Sequence, residues 1–200
     1  ILLITVNIAG KFGNPFLAFH HAAFQVGSII TTTGFATVDF NLWPTIPKTI
    51  LVLLMFIGAC AGSTGGGIKV SRIVILAKSV KKELKQYLHP HSISKIKMDG
   101  KPVEHEVVRS INVFLIAYLL IYAVSMLIVS LDNFDFTTTF TSVAATINNI
   151  GPGLDLVGPA ANFGILSVPS KLVLIFDMLA GRLEIFPLLL LFVPDTWRKF

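Results

Sequence analysis

The sequence predicts an all-α integral membrane protein built from helix–re-entrant loop–helix modules, and three observations predict it. The 200 residues are 54% hydrophobic and 14% charged, with a mean hydropathy of +0.77; soluble domains carry about 25% charge. Long uncharged stretches alternate with short apolar ones that run into a glycine. That alternation occurs twice in the same order, and an internal repeat of this kind governs the architecture.

The elements follow in chain order. ILLITVNIA reads as the tail of a span. No basic segment with a cleavage site precedes it, so it is not read as a signal peptide, and the chain is expected to be part of a longer protein. Pro15 to Ile30 is apolar but short for a crossing, and it leads into TTTGFATVDF. Apolar segments of ~10–14 residues are often re-entrant. Their non-helical return is tolerated at membrane depth only where protein buries it or it lines a watery cavity. Pro47 to Ala61 begins a span, interrupted by Gly58-Ala59-Cys60-Ala61-Gly62-Ser63-Thr64-Gly65-Gly66-Gly67. So many glycines and hydroxyls do not hold a straight helix. A small-residue helix-packing face is the competing reading of that stretch.

Ten of the sixteen Lys and Arg residues lie between Lys69 and Arg109. This is the positive-inside signal, so the connection is expected in the cytoplasm, and its charge reports topology rather than a nucleic-acid partner. Within it, Ile93–Met98 and Lys101–Glu104 alternate around Asp99-Gly100, which suggests a hairpin, with a polar linker as the alternative. Ile111 to Leu131 carries no charge and can cross ~30 Å of hydrocarbon. Thr137 to Ile147 is the second short helix, returning through NNIGPGLDLVG. Lys171 to Val193 is the last span, and Trp197, Arg198 and Lys199 form a cytoplasmic interfacial end. The acidic run Leu131–Asp135 and Asp39 then fall outside.

The repeat is explicit. Gly34 on Gly151 places Phe19 on Phe136, and Pro47 on Pro169 places residues 50–59 over 172–181. The two registers differ by five residues, an outer-loop insertion. A short helix ending near the midplane presents its partially negative C-terminus, which favours a cation. Carbonyls of the returning segment can replace an ion's hydration shell. Gly34 and Gly151 permit positive φ, which lets successive carbonyls point the same way.

"TTTGF" (31–35), "NNIGPG" (148–153), "GACAGSTGGGIK" (58–69) and "AGRLEIFP" (180–187) together resemble the Trk/Ktr/HKT superfamily of potassium transporters, most closely its bacterial TrkH/KtrB pore-subunit branch. That resemblance implies four modules in one chain, with 1–78 as the third, 79–108 as a cytoplasmic connection and 109–200 as the fourth. It implies that carbonyls of Thr32, Thr33, Gly34, Asn149, Ile150 and Gly151 coordinate potassium, flanked by Thr31, Phe35, Asn148 and Pro152. It also implies that the loop containing Gly62, Gly65, Gly66 and Gly67 obstructs the pore below the filter, in contact with Arg182. A cytoplasmic nucleotide-binding regulator of the TrkA/KtrA kind, a homodimer of the full pore subunit, a bacterial inner-membrane location and surrounding lipid are its further implications. Potassium is cargo, and no cofactor or enzymatic activity is expected.

Other residues weigh against competing chemistry. A phosphate-binding loop needs glycine before its lysine, but Ile68 precedes Lys69 and Val70 follows it. Asp177, Arg182 and Glu184 lie inside the last span, where charge is expensive and usually functional. Arg182 can instead be a snorkelling residue, and Asp177 an interhelical hydrogen-bonding one. His20 and His21 lack partners at metal spacing, and Cys60 is expected simply to pack. Two other readings are a less selective P-loop cation channel and a non-conducting membrane enzyme or assembly subunit. Sodium rejection separates the first; the second leaves the glycine turns unexplained.

Overall fold

The computed structural model describes residues 1–58, 60, 62–63, 65–89, 95–98, 100–183, 185 and 190. The chain is mostly helical. Helices α1 (Leu2–Phe12), α2 (Pro15–Ile30) and α3 (Thr45–Phe56) pack together as a first unit. Helices α5 (His105–Val129), α6 (Phe136–Ile147) and α7 (Val168–Leu183) pack as a second. Between them run the short strands β1 (Ile57–Gly58) and β2 (Ile68–Lys69), helix α4 (Val70–Leu88), and the strands β3 (Lys97–Met98) and β4 (Lys101–Pro102).

Local chemistry sets the helix starts. Asn14 accepts the Phe16 N–H at 2.9 Å, with Pro15 at the first helical position, where no intrahelical N–H partner is needed. Asp135 accepts the N–H groups of Thr137 and Thr138 at 2.9 and 3.2 Å. Helix α5 continues through a 3₁₀ turn to Asp132 and is, among the described residues, the one helix long and apolar enough to cross a membrane. Helix α3 stops at Phe56, earlier than the expected span. Its continuation pairs with the far end of the glycine loop instead, Ile57 beside Ile68 and Gly58 beside Lys69 in a parallel register. Strands β3 and β4 form the expected antiparallel hairpin, with Gly100 at φ +79°; Ile93, Ser94 and Asp99 lie outside the described residues. The ordered helix α4 inside the basic connection was not foreseen.

The repeat is present in the backbone itself. The N–H groups of Thr31, Thr32, Thr33 and Gly34 donate to the carbonyls of Gly27, Ile29, Ser28 and Ser28 at 3.1, 3.1, 2.8 and 3.4 Å. Those of Asn148, Asn149, Ile150 and Gly151 donate to Ala144, Thr146, Ala145 and Ala145 at 3.2, 2.9, 2.9 and 3.5 Å. Every donor and acceptor is related by the Gly34-to-Gly151 shift. The outer parts correct the expected insertion from five residues to six. Asp39 and Asn162 cap equivalent 3₁₀ turns at Phe40–Leu42 and Phe163–Ile165, and α3 and α7 begin at Thr45 and Val168. Pro47 and Pro169 were a poor guide, because the first helical turn accepts proline at several positions where N–H groups lack partners. In the corrected register Gly58 falls on Gly181 and Lys48 on Lys171.

The two cores interlock. Ile150 and Leu154 from the second unit pack with Ile29, Phe40, Leu51 and Met55 of the first. Ile68 and Phe56 pack with Tyr118, Tyr122 and Ile147 of the second.

Candidate functional site

Each glycine turn follows a helix that ends four residues before the glycine, α2 at Ile30 and α6 at Ile147. Thr32 and Asn149 take φ of +55° and +53°, and Gly34 and Gly151 take +79° and +107°. Positive φ at the glycines was anticipated. At Thr32 it was not, since the sequence reads there as extended, and a β-branched residue in this region is strained. Strain of this type concentrates at functional sites. Asparagine tolerates the conformation better, so Asn149 carried a legible signal and Thr32 did not.

The turns meet. An open cavity of about 550 Å³ is lined by Thr32, Thr33, Asn149, Ile150 and Gly151 together. A Cβ on Gly34 would collide with the Ile150 carbonyl oxygen and lie 3.2 Å from Pro152 Cδ. Thus five of the six residues expected to bind ions line one space, and the sixth abuts it. Phe35 is exposed, and its carbonyl accepts the Ser28 hydroxyl at 2.6 Å. Thr31 Oγ1 donates to the Gly27 carbonyl at 2.7 Å and meets Thr33 Oγ1 at 2.8 Å.

The second turn is held from outside its own segment. Asn148 is fully buried; its Nδ2 donates to the Ala144 carbonyl at 2.8 Å, and its Oδ1 accepts the Tyr118 hydroxyl at 2.9 Å. Asn149 Nδ2 donates to the Met178 carbonyl at 3.0 Å. Gly181 of α7 lies so close that a Cβ there would strike the Ile147 carbonyl oxygen. Farther along the returning segment, Asn41 donates to the Asp155 carbonyl at 3.1 Å and accepts the Asp155 N–H at 2.8 Å. This clip between the units had no signature in the sequence.

The glycine loop lies against the same region. A Cβ on Gly66 would collide with the Asn148 carbonyl, and one on Gly67, at φ +80°, would lie 3.2 Å from Asn148 Oδ1. Gly62 also has φ +80°. Lys69 Nζ donates to the Ser63 carbonyl at 2.9 Å and closes the loop. A cavity of about 30 Å³ brings together Ser63, Gly65 and Gly67 of the loop, Arg72, Gly181 and the exposed Arg182. Ala59, Ala61 and Thr64 of the loop, Glu184, and the expected interfacial end at Trp197, Arg198 and Lys199 lie outside the described residues.

Cys60 is exposed rather than packed, because the loop, not a continuous helix, carries it. Asp177 is buried and accepts the Ser125 hydroxyl at 2.7 Å, an interhelical bond from α5 to α7. His21 Nδ1 lies 3.0 Å from Thr37 Oγ1, and the described residues hold no group of three or more metal-ligating side chains.

The chain is similar to known proteins along most of its length. A family model described as TrkH, cation transport protein, matches residues 16–199. The Trk system potassium uptake protein TrkH of Vibrio parahaemolyticus is 45% identical over 189 residues, covering 94% of this chain and 39% of that protein. TrkH of Escherichia coli K12 is 42% identical over 188 residues, covering 94% and 38%. The crystal structure of the potassium transporter TrkH from Vibrio parahaemolyticus superimposes with a TM-score of 0.86 at 42% identity, over 98% of this chain and 42% of that one. The chain therefore spans about two fifths of the length of the relatives it matches. With two equivalent glycine turns facing one cavity and a glycine loop beneath them, the chain belongs to the TrkH family of cation transport proteins.

Proposed function

We propose that this chain forms the last two of four pore modules of a potassium-uptake protein in the bacterial inner membrane. Residues 1–78 and 109–200 are the third and fourth modules, each with a re-entrant helix, α2 or α6, and 79–108 lies in the cytoplasmic connection. Carbonyls of Thr32, Thr33, Gly34, Asn149, Ile150 and Gly151 replace the hydration shell of potassium, the ion carried by the potassium transporters this chain is similar to. The observation that carries this reading is the shared cavity of the two turns, with identical backbone bonding in each. The helix termini of α2 and α6, both ending at these turns, add partial negative charge where a cation would sit.

The loop with Gly62, Gly65, Gly66 and Gly67 is the gate, and Arg182 beside its cavity is a positive barrier to ions. The protein transports rather than catalyses, with potassium as cargo and no cofactor held by this chain. Residues 69–109 and the C-terminus face the cytoplasm. There α4 exposes Val80, Leu84, Tyr87 and Leu88 among its lysines, a surface suited to a nucleotide-binding regulatory subunit or to anionic lipid. The full pore subunit assembles as a homodimer.

The test uses the full-length protein in proteoliposomes loaded with potassium. Uptake of radiolabelled Rb⁺ should be competed away by K⁺ and not by Na⁺. Equal competition by Na⁺ would replace this reading with a less selective channel, and absent uptake would reject conduction.

A further inference from the structure

The two turns share a backbone but differ in what holds their polar side chains. In the third module Thr31 and Thr33 satisfy each other and the preceding helix turn. In the fourth, Asn148 and Asn149 reach other elements: α5 through the Tyr118 hydroxyl at 2.9 Å, and α7 through the Met178 carbonyl at 3.0 Å. The glycine loop presses on the same residues. Gly66 leaves no room for a Cβ against the Asn148 carbonyl, and such an atom would lie 3.1 Å from Asn149 Cβ. Gly67 approaches the Asn148 side-chain oxygen that Tyr118 binds.

We propose that Asn148, held by Tyr118, is the positioning residue that couples the glycine loop to the fourth-module filter segment, so that loop position and ion selectivity change together. This rests on the conduction reading above. The physical reason is that one buried residue carries both contacts. Its backbone carbonyl is the floor on which Gly66 lies, and its chain continues directly into Asn149-Ile150-Gly151. When the loop lifts, the Asn148 carbonyl gains room. The next three residues continue its chain and follow it, as far as their bonds to the end of α6 and to α7 allow. Tyr118 opposes that movement from α5. A coupling of two sites requires contacts that differ between two states, and the Gly66–Asn148 contact is one that only the seated loop makes. The asparagine pair thus replaces threonine in the fourth module because it serves as a handle. The third module's threonines are closed on their own segment.

The experiment compares full-length wild type, Tyr118→Phe, Gly66→Ala, the double variant and Tyr122→Phe in proteoliposomes. Tyr118→Phe keeps the ring and removes one buried hydrogen bond, so basal Rb⁺ flux should rise and the Rb⁺/Na⁺ ratio fall, each roughly fivefold. The double variant should change the ratio by less than the product of the single effects, the mark of shared coupling. Tyr122→Phe loses a similar bond, its hydroxyl to the Phe140 carbonyl at 2.9 Å, and should move neither quantity. Cys60, exposed in the loop and the one cysteine of these 200 residues, gives a second readout: its own labelling by a thiol reagent, followed on the Cys60 peptide by mass spectrometry, should be faster in Tyr118→Phe. That measurement decides the matter if Gly66→Ala does not fold. A wild-type ratio or labelling rate in folded Tyr118→Phe, or fully multiplicative effects, would overturn the coupling. Wild-type protein without K⁺-selective flux would instead overturn the conduction reading.

Discussion

Substituting Gly34 by serine places a side chain where the two glycine turns touch. The residue has φ +79°, and a Cβ there would overlap the Ile150 carbonyl oxygen, approach the Ile150 carbonyl carbon to 3.1 Å and Pro152 Cδ to 3.2 Å. Two costs follow. A non-glycine residue in the left-handed region costs about 1–2 kcal/mol. Relieving the overlap means displacing the backbone of Ile150, which is packed into the first unit's core, and overpacking of this kind costs about 1–3 kcal/mol. Under the proposed function, the second cost falls on an ion-binding carbonyl. If about 1.4 kcal/mol of it is lost from the preference for potassium over sodium, selectivity falls tenfold.

Gly13→Ala separates the two costs. Gly13 has φ +63° with nothing within 4 Å of an added Cβ, so it carries the backbone strain without the collision. Rb⁺ and Na⁺ fluxes should be measured on proteoliposomes of both variants, with melting temperature as the fold control. Gly34→Ser should lower the Rb⁺/Na⁺ ratio about tenfold, while Gly13→Ala leaves it at the wild-type value. An unchanged ratio in folded Gly34→Ser refutes the assignment of Gly34, and an equal fall in Gly13→Ala refutes the role given to the collision.

Deleting Gly65-Gly66-Gly67, or replacing Arg182 by Ala, should raise basal flux, since both remove residues lining the cavity at the proposed gate; a closed basal state in either variant would exclude the plug. Gly181→Ala should lower stability by about 1–3 kcal/mol, read as a fall in melting temperature, because its Cβ strikes the Ile147 carbonyl. The Thr138 hydroxyl and the N–H groups of Thr137 and Thr138 hold the Asp135 carboxyl below the usual carboxylate range. Its cap is therefore complete at neutral pH and is lost as pH falls below the ordinary value near about 4 and through the lower folded one. Asp135→Ala should cost about 1 kcal/mol at pH 7, and a melting-temperature difference from wild type that persists unchanged to pH 2 would show the carboxylate is not the cap. Neutral substitutions at Lys81, Lys82 and Lys85 should reduce regulator pull-down and ligand-dependent flux together; intact regulation with weaker binding to anionic vesicles would assign these lysines to lipid.

The helical course of the chain was legible because apolar length and glycine position carry it. Pro15–Ile30 is α2 to the residue, and Thr137–Ile147 is α6 less its first residue. The turns were legible for the same reason, since glycine at positive φ has few substitutes. What escaped was decided by contacts distant in sequence. The left-handed Thr32 has no local signature. Asn148 looked like a weaker version of threonine, whereas its partners are Tyr118 on α5 and the glycine loop. The early stop of α3 was signalled by the glycines, but its parallel pairing with Ile68 was not. Helix α4 was hidden by charge, which was read only for topology.

The exchange of core residues between the units has a consequence for synthesis. Residues 1–58 leave the ribosome well before Ile150 and Leu154, the side chains that complete their core. In a bilayer, lipid tails can occupy that vacancy meanwhile, because no hydrophobic force distinguishes them from a leucine or isoleucine. No lipid can supply what Asn41 needs, the N–H and carbonyl of Asp155. A chain halted at the hairpin therefore holds its first helices yet leaves Asn41 without its partner, and that end of the first unit takes its final form only when the second unit arrives.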